Sequence, residues 1–361
     1  MKKTKTNASF PHTIAVRAPN WVGDVVMATP TFRALARSFP DSCLVLVIRA
    51  SVAAVLRGSS WFEHIITYER DTDGPCEAIF NFLRCSRTLH DYSPQLGVLL
   101  PHSFSSALMF RLAGIEQRTG YQRDARSFLL TDAVDRPTNA KGNFQPSYMV
   151  DYYLRLCEHL EIPVDNRNPE LRYTEHDRET ARLKLRRAGI DPAGALFLFH
   201  PAAGYGPAKL WSLPAFAQLA AMLAHRFDAQ IGCIGAPPVS PIARKINRLS
   251  ETEVLDLTRC GIDLHLLKCV VAWSDLLVTT DSGPRHYGVA LGTPTVCVMG
   301  PTHPAYSTSG RPHDHVVRVD VKCGPCQKKV CPRDHRCMKR ITPQMVFNAC
   351  EKALKETPHR K

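Results

Sequence analysis

No apolar run in this chain reaches the ~18 residues that a membrane-spanning helix needs, which excludes an ordinary integral membrane protein. Neither GxGxxG nor GxxxxGKS/T occurs, so the usual dinucleotide fingerprint and the P-loop lose their weight as routes to phosphate binding. No internal repeat or low-complexity block is present, which removes solenoids and long linkers. The opening MKKTKTNASFPH is basic but has no apolar core of the signal-peptide kind; it reads as a disordered tail. Cysteine is not scarce, yet the thirteen are odd in number and scattered through expected strands and helices. That usage points to a reducing cytoplasm rather than a disulfide scaffold. Negative charge is in short supply: 33 acidic against 46 basic residues give +13. A surplus of that size favours acidic partners such as nucleic acid, a phosphorylated glycolipid or an anionic membrane surface, without choosing among them.

What is present is an ordinary globular composition on 361 residues, long for one core and comfortable for two domains. Short β-branched runs alternate with helical stretches. Strands are expected at Thr13 to Arg17, Cys43 to Ile48, His64 to Tyr68 and Gln95 to Leu100, with helices between. One of these helices runs from the segment after Pro19 to about Phe39. A composition shift toward Asn, Pro and Arg follows between Asp132 and Arg172, and places a domain boundary near Tyr173. The expected domains are therefore 1–173 and 174–361. The second half repeats the alternation, with strands at Ala195 to His200, Gln230 to Gly235 and Val254 to Leu257. Such alternation indicates α/β domains with parallel sheets and right-handed crossovers.

The most informative stretch is LLVTTDSGPRHYGVALGTPTVCVMGPTHP, Leu276 to Pro304. It begins as a strand buried on both faces, breaks at Asp281-Ser282-Gly283 and continues as a helix with Pro284 in its first turn. A strand, a small-residue turn and a helix start form an anion site, because free amides and the helix dipole point the same way. His286 lies one turn into that helix. The alternative is a plain cap and tight turn, since Asp and Ser are common caps. A second loop, HPAAGYGPAKLW, exposes backbone at Ala202, Ala203 and Gly204 and places Lys209 a few residues on. An ammonium beside an exposed backbone nest suits a diphosphate. A solvated lysine before a helix start is the plainer reading.

Taken together, PNWVGDVVMATP, HPAAGYGPAKLWSLPAFAQLA and DSGPRHYGVALGTPTVCVMGPTHP resemble glycosyltransferase family 9, the bacterial ADP-heptose:lipopolysaccharide heptosyltransferases. The first motif and the cysteine-bearing tail look most like the heptosyltransferase II branch. The resemblance spans nearly the whole chain and implies a GT-B architecture, two Rossmann-like domains facing across a cleft. The N-terminal domain would hold the lipopolysaccharide acceptor, the lipid A core, and the C-terminal domain the ADP-heptose. It also implies a cytoplasmic enzyme bound peripherally to the inner face of the cytoplasmic membrane, needing no catalytic metal. Nothing in the linear sequence marks an apolar segment for membrane insertion. The basic residues look dispersed rather than gathered with stacking aromatics, so nucleic acid is not an expected partner.

Residue by residue, the resemblance makes Asp24 the general base, taking the acceptor hydroxyl's proton during an inverting attack on the anomeric carbon. A helix cap is the competing role for this aspartate. Asn20 and Gly23 of the same motif match substrate-binding positions. Lys209 matches a lysine that stabilises the departing diphosphate, and Ala203 and Gly204 lie in its loop. Ser282 and Gly283 match residues whose amides hold the phosphates; Asp281 and His286 match cleft positions. For Asp281, sugar binding and support of the turn both stay open; for His286, a packed core histidine does. One departure is Pro238-Val239-Ser240-Pro241, where relatives often carry an acid for the ribose hydroxyls. Finally, Cys323, Cys326, Cys331 and Cys337, with His335 among them, have a spacing that could wrap a structural zinc, or leave a reduced or disulfide-linked loop.

Overall fold

Among the described residues, 11–69 and 74–357 of a computed structural model, twelve strands alternate with helices. The tail expected at 1–12 lies outside them except for Pro11 and His12. The chain divides into two compact units. Unit 1 runs to Ala54 and from Ser59 to Asn168; unit 2 holds Val55–Gly58 and Pro169 onward. No composition shift announces the short excursion at Val55–Gly58. It is held in unit 2 by the buried Lys268, whose ammonium donates to Val55 O at 3.4 Å and Arg57 O at 2.5 Å.

Unit 1 contains β1 (Thr13–Arg17), β2 (Cys43–Arg49), β3 (His64–Tyr68), β4 (Leu96–Leu99), β5 (Gln117–Tyr121) and β6 (Asp132–Val134). They form one sheet in the order β3-β2-β1-β4-β5-β6, every pair parallel. Unit 2 contains β7 (Ala195–His200), β8 (Ala229–Cys233), β9 (Val254–Asp256), β10 (Leu276–Thr280), β11 (Thr295–Val298) and β12 (Asp314–Val317). Its order is β12-β11-β10-β7-β8-β9, again all parallel. Counted from each unit's own first strand, both sheets read 3-2-1-4-5-6, the Rossmann order. The chain steps outward twice, then returns to the other side of its starting strand. Each unit thus has a switch point, between β1 and β4 and between β7 and β10.

The central strands are nearly continuous apolar runs because helices cover both sheet faces. All five residues of β10 are buried, as are the inner four of β7. In unit 2 Phe197, Phe199, Phe216, Leu219, Val278 and Val296 share one core. In unit 1 Val45, Val47, Leu99 and Phe110 do the same. Ser212 caps the helix Leu213–Phe227 by accepting from Ala215 N at 3.3 Å. Gly292, at φ 73°, takes the left-handed turn that stops the helix Gly283–Leu291. The closing helix Pro343–Glu356 packs on the helix Leu213–Phe227 and on β11 and β12, within unit 2.

Two departures from the sequence expectation have local causes. The long helix expected up to Phe39 is broken into Val22–Met27 and Thr29–Ser38. Pro30 has no N–H for Val26 O, and the Thr29 hydroxyl donates to that carbonyl at 2.8 Å instead. The strands β5, β6 and β12 (QRTGY, DAV, DHVV) went unread because they are short and carry polar residues. Pairing with an established neighbour decides them, not their own composition.

Candidate functional site

In unit 2, β7 and β10 are neighbours in register, with Thr279 opposite His200. The chain leaves β7 toward β8 on one side and β10 toward β11 on the other. The two outgoing loops therefore separate and leave a crevice at the carboxyl edge. Lys209 enters it from a short 3₁₀ turn, Pro207–Lys209, and Asp281 from the end of β10. The Lys209 ammonium donates to Asp281 Oδ2 at 2.7 Å and to Asp281 O at 2.8 Å. Their side chains are only 12% and 8% exposed. Two of the three ammonium protons are thus committed among the described residues.

Asp281 is held from several sides. Thr302 Oγ1 donates to its Oδ2 at 2.7 Å, Ser307 Oγ to Oδ1 at 3.0 Å, and Arg285 NH1 approaches Oδ1 at 3.4 Å. Arg285 is fully buried and forks onto Asp314, Nε to Oδ1 at 3.0 Å and NH2 to Oδ2 at 3.0 Å. Two cations and two carboxylates alternate along one buried chain: Lys209, Asp281, Arg285, Asp314. Burial by itself would raise the Asp281 carboxyl, but Lys209 and Arg285 outweigh it and hold the group well below the usual carboxylate range. With both oxygens engaged, Asp281 anchors Lys209 and the turn.

The helix Gly283–Leu291 begins beside this pair. Ser282 is its N-cap residue, yet its hydroxyl makes no capping bond; it lies 3.0 Å from His200 Nδ1 and 3.1 Å from Thr279 Oγ1. The cap reading of the serine side chain therefore does not hold. Ser282 and Gly283 stand at this helix start, where the first amides have no partner inside the helix. His286 is 5% exposed and its Nδ1 has no hydrogen-bond partner among the described residues. Burial, then the Arg285 charge, pulls its pKa down to about 4, so it is neutral at pH 7. Ala203 and Gly204 sit on the loop between His200 and the Lys209 turn, half-buried and exposed respectively. Thr280 Oγ1 donates to Ala202 O at 2.7 Å and ties that loop to β10.

Unit 1 has its own group at the β1–β4 switch point. Asn20 follows β1, and its Oδ1 accepts from Arg17 NH2 at 2.7 Å and from Tyr68 OH at 3.0 Å. Arg17 is buried, lies 4.6 Å from the Tyr68 ring centre and also bonds its hydroxyl. Gly23 and Asp24 lie in the first turn of the helix Val22–Met27, whose N-cap residue is Trp21. Asp24 is therefore not the helix cap. Its Oδ1 accepts from Tyr153 OH at 3.2 Å, and burial followed by the Asp24 charge pushes that phenol well above its ordinary pKa. Arg17, Tyr68, Tyr153, Arg285 and Asp314 went unnoticed in the sequence. Tyr153 lies 129 residues from Asp24, and no motif spacing reports such a pairing.

The four tail cysteines form no disulfide in this structure, and together with Asp334 and His335 they line one cavity of about 190 Å³. No three of their sulfurs converge to within 4.8 Å of one another; among the described residues the trio that does is Cys43, Glu63 and His64. The tetrahedral zinc expected on Cys323, Cys326, Cys331 and Cys337 is therefore not formed by this geometry. His335 is also engaged elsewhere, with Nε2 2.6 Å from Ala208 O.

With this geometry in hand, comparison with known proteins is informative. The family model of glycosyltransferase family 9 (heptosyltransferase) matches residues 82–336. Lipopolysaccharide heptosyltransferase 2 of Salmonella typhimurium is 27% identical over 355 residues, covering 95% of this chain and 99% of that protein. The solved structure of the Escherichia coli ADP-heptose LPS heptosyltransferase II superposes with a TM-score of 0.77 at 24% identity, covering 95% and 99% of the two chains. A family 9 glycosyltransferase from Veillonella parvula gives 0.80 at 19% identity, covering 96% and 97%.

Asp281→Asn should destabilise unit 2 by about 3–5 kcal/mol at neutral pH, because Lys209 and Arg285 lose a buried counter-charge. A depressed carboxyl contributes stability above its unfolded pKa of about 4 and loses it as pH falls. Urea unfolding of both proteins should therefore show the gap widest near pH 7 and shrinking below about pH 4. A gap independent of pH would contradict the charge argument.

Proposed function

We infer the reaction from family membership: the chain belongs to glycosyltransferase family 9 (heptosyltransferase), and it is a glycosyltransferase. The reaction proposed is inverting transfer of heptose from ADP-heptose to the inner core of lipopolysaccharide. The relatives named above carry that donor or that activity in their names. The observation that carries the reading is the Lys209–Asp281 pair at 2.7 Å beside the start of the helix Gly283–Leu291. In this reading the Lys209 ammonium and the amides at that helix start would meet the departing nucleotide diphosphate.

In this mechanism the acceptor hydroxyl oxygen attacks the anomeric carbon as the bond to ADP breaks. Asp24 takes the hydroxyl proton, and the structure supports that role by removing its rival, the cap. Tyr153 donates to one of the Asp24 carboxylate oxygens and holds the group in place, while Asn20 and Gly23 lie just before Asp24 in the same motif. Lys209 and the Ser282 and Gly283 amides offset the charge growing on the β-phosphate, the service that a metal gives in other transferases. Ala203 and Gly204 let the phosphates approach the backbone. A different nucleotide sugar is the second reading, favoured by Pro238-Val239-Ser240-Pro241, three of which lie in or beside the 3₁₀ turn Pro237–Val239.

We also propose peripheral attachment to the cytoplasmic membrane face, where the lipid-borne acceptor would be met; nucleic acid is not a proposed partner. No described helix is long and apolar enough to cross a membrane. The +13 charge supports electrostatic attachment. The helix Pro75–Asp91 adds something the sequence reading missed: Ile79, Phe80 and Leu83 are all at least half exposed on it.

Three outcomes test the proposal. Asp24→Asn should reduce turnover by ~10²–10⁴ with near-normal ADP affinity, the range for removal of a general base; turnover within a few-fold of wild type would move the base elsewhere. Calorimetry in chelator should show ADP binding without divalent metal, whereas binding that requires magnesium would defeat the metal-free site. Flotation with anionic liposomes should succeed at low salt, each nearby Lys or Arg adding about 1 kcal/mol, and weaken at high salt.

A further inference from the structure

We propose that Lys329, carried by the cysteine loop, is a second cation for the diphosphate of the nucleotide sugar. The proposal rests on the reading of the β7–β10 switch point as the diphosphate site, and it adds a residue that no part of that reading uses. Its starting point is a charge balance. Lys209 and Arg285 are matched one for one by Asp281 and Asp314, so the buried chain of four is neutral as a whole. A bound nucleoside diphosphate brings about two negative charges near its phosphates, and a helix start supplies only about half a positive charge. The site as built from those elements is short of a cation.

The cysteine loop is the segment placed to supply it. It is hydrogen-bonded directly to the Lys209 turn: Ala208 N donates to Lys329 O at 3.0 Å, and Tyr205 OH donates to Gln327 O at 2.6 Å. His335 Nε2 lies 2.6 Å from Ala208 O and closes the contact from the other end of the loop. The fit at Gly206 is tight enough to exclude any side chain. A Cβ there would lie 2.5 Å from Lys329 O, and its φ is 156°. The Lys329 backbone is thus locked against the loop that carries Lys209.

Tyr205 sets the two ammonium groups on one platform. The Lys209 ammonium lies 5.0 Å from its ring centre and the Lys329 ammonium 5.9 Å. Both distances are within reach of a cation–π attraction, which restrains a long side chain without neutralising it. Lys329 itself is exposed, with no carboxylate against it among the described ion pairs, so its charge is available. Its neighbour Lys328 points elsewhere and lines the cavity of the four cysteines. Adjacent lysines of equal charge therefore differ in one respect, their access to the Tyr205 platform.

That difference makes the test. ADP and AMP affinities would be measured by calorimetry in chelator for the wild type and for Lys329→Ala, Lys329→Arg, Lys328→Ala and Lys209→Ala. Lys329→Ala should weaken ADP about three- to tenfold, the size expected of one partly exposed charge contact. It should change AMP less than twofold, since AMP lacks the β-phosphate. Lys329→Arg should restore most of the loss, and Lys328→Ala should bind ADP as the wild type does. ADP affinity of Lys329→Ala within twofold of wild type, with Lys209→Ala impaired, would overturn this proposal and leave the diphosphate site standing. An equal loss in Lys328→Ala would also overturn it, by reducing the effect to general surface charge. A wild type that binds no ADP would overturn the site reading and the proposal together.

Discussion

The ion pair between Lys209 and Asp281 is the contact on which the rest of unit 2 depends. Neither group would be tolerated alone at its depth, because an unpaired buried charge costs several kcal/mol. Together they join the end of β10 to the loop after β7, and Arg285 extends the same logic to Asp314 and the end of the sheet. One neutral chain of charges thus locks two loops that have no covalent reason to meet. It also holds the Lys209 ammonium beside the start of the helix Gly283–Leu291. Preorganisation of that kind is what lets fixed protein groups offset charge on a leaving diphosphate.

The two units solve the same topological problem with different chemistry. Both place their site at the carboxyl edge beside the first strand, where outgoing loops must part. In unit 2 the crevice is filled with cations and amide donors. In unit 1 it is filled with a carboxylate, an amide and phenols: Asp24 against Tyr153, and Asn20 held by Arg17 and Tyr68. In the reaction proposed above, the first group would hold the diphosphate and the second would accept the acceptor's proton. The fold supplies equivalent positions, and the side chains found there differ in chemistry.

The cysteine loop shows that a motif's residue types and its packing contacts are separate properties. Its spacing suggests a metal, yet its sulfurs do not converge. What the loop does in this structure is made by its backbone, through carbonyls of Gln327 and Lys329 that receive the Tyr205 hydroxyl and the Ala208 amide. A carbonyl has no identity in a sequence, so no inspection of residue types would have found these contacts.

Much of the fold was legible because burial on both faces writes itself into a strand as an apolar run, and caps write themselves as single residues. β1, β3, β7 and β10 read correctly to the residue. The candidate loops were legible for a similar reason: Asp281-Ser282-Gly283 and Ala202-Ala203-Gly204 interrupt such runs with small residues. The sequence by itself therefore determined where the central strands lie and which small-residue loops follow β7 and β10. It could not determine that Lys209 reaches Asp281 across 72 positions, that Tyr153 rather than a helix end holds Asp24, or that β12 is a strand at all. Those depend on which strands become neighbours. That order is set by packing the whole chain, and distance along the chain carries no record of it.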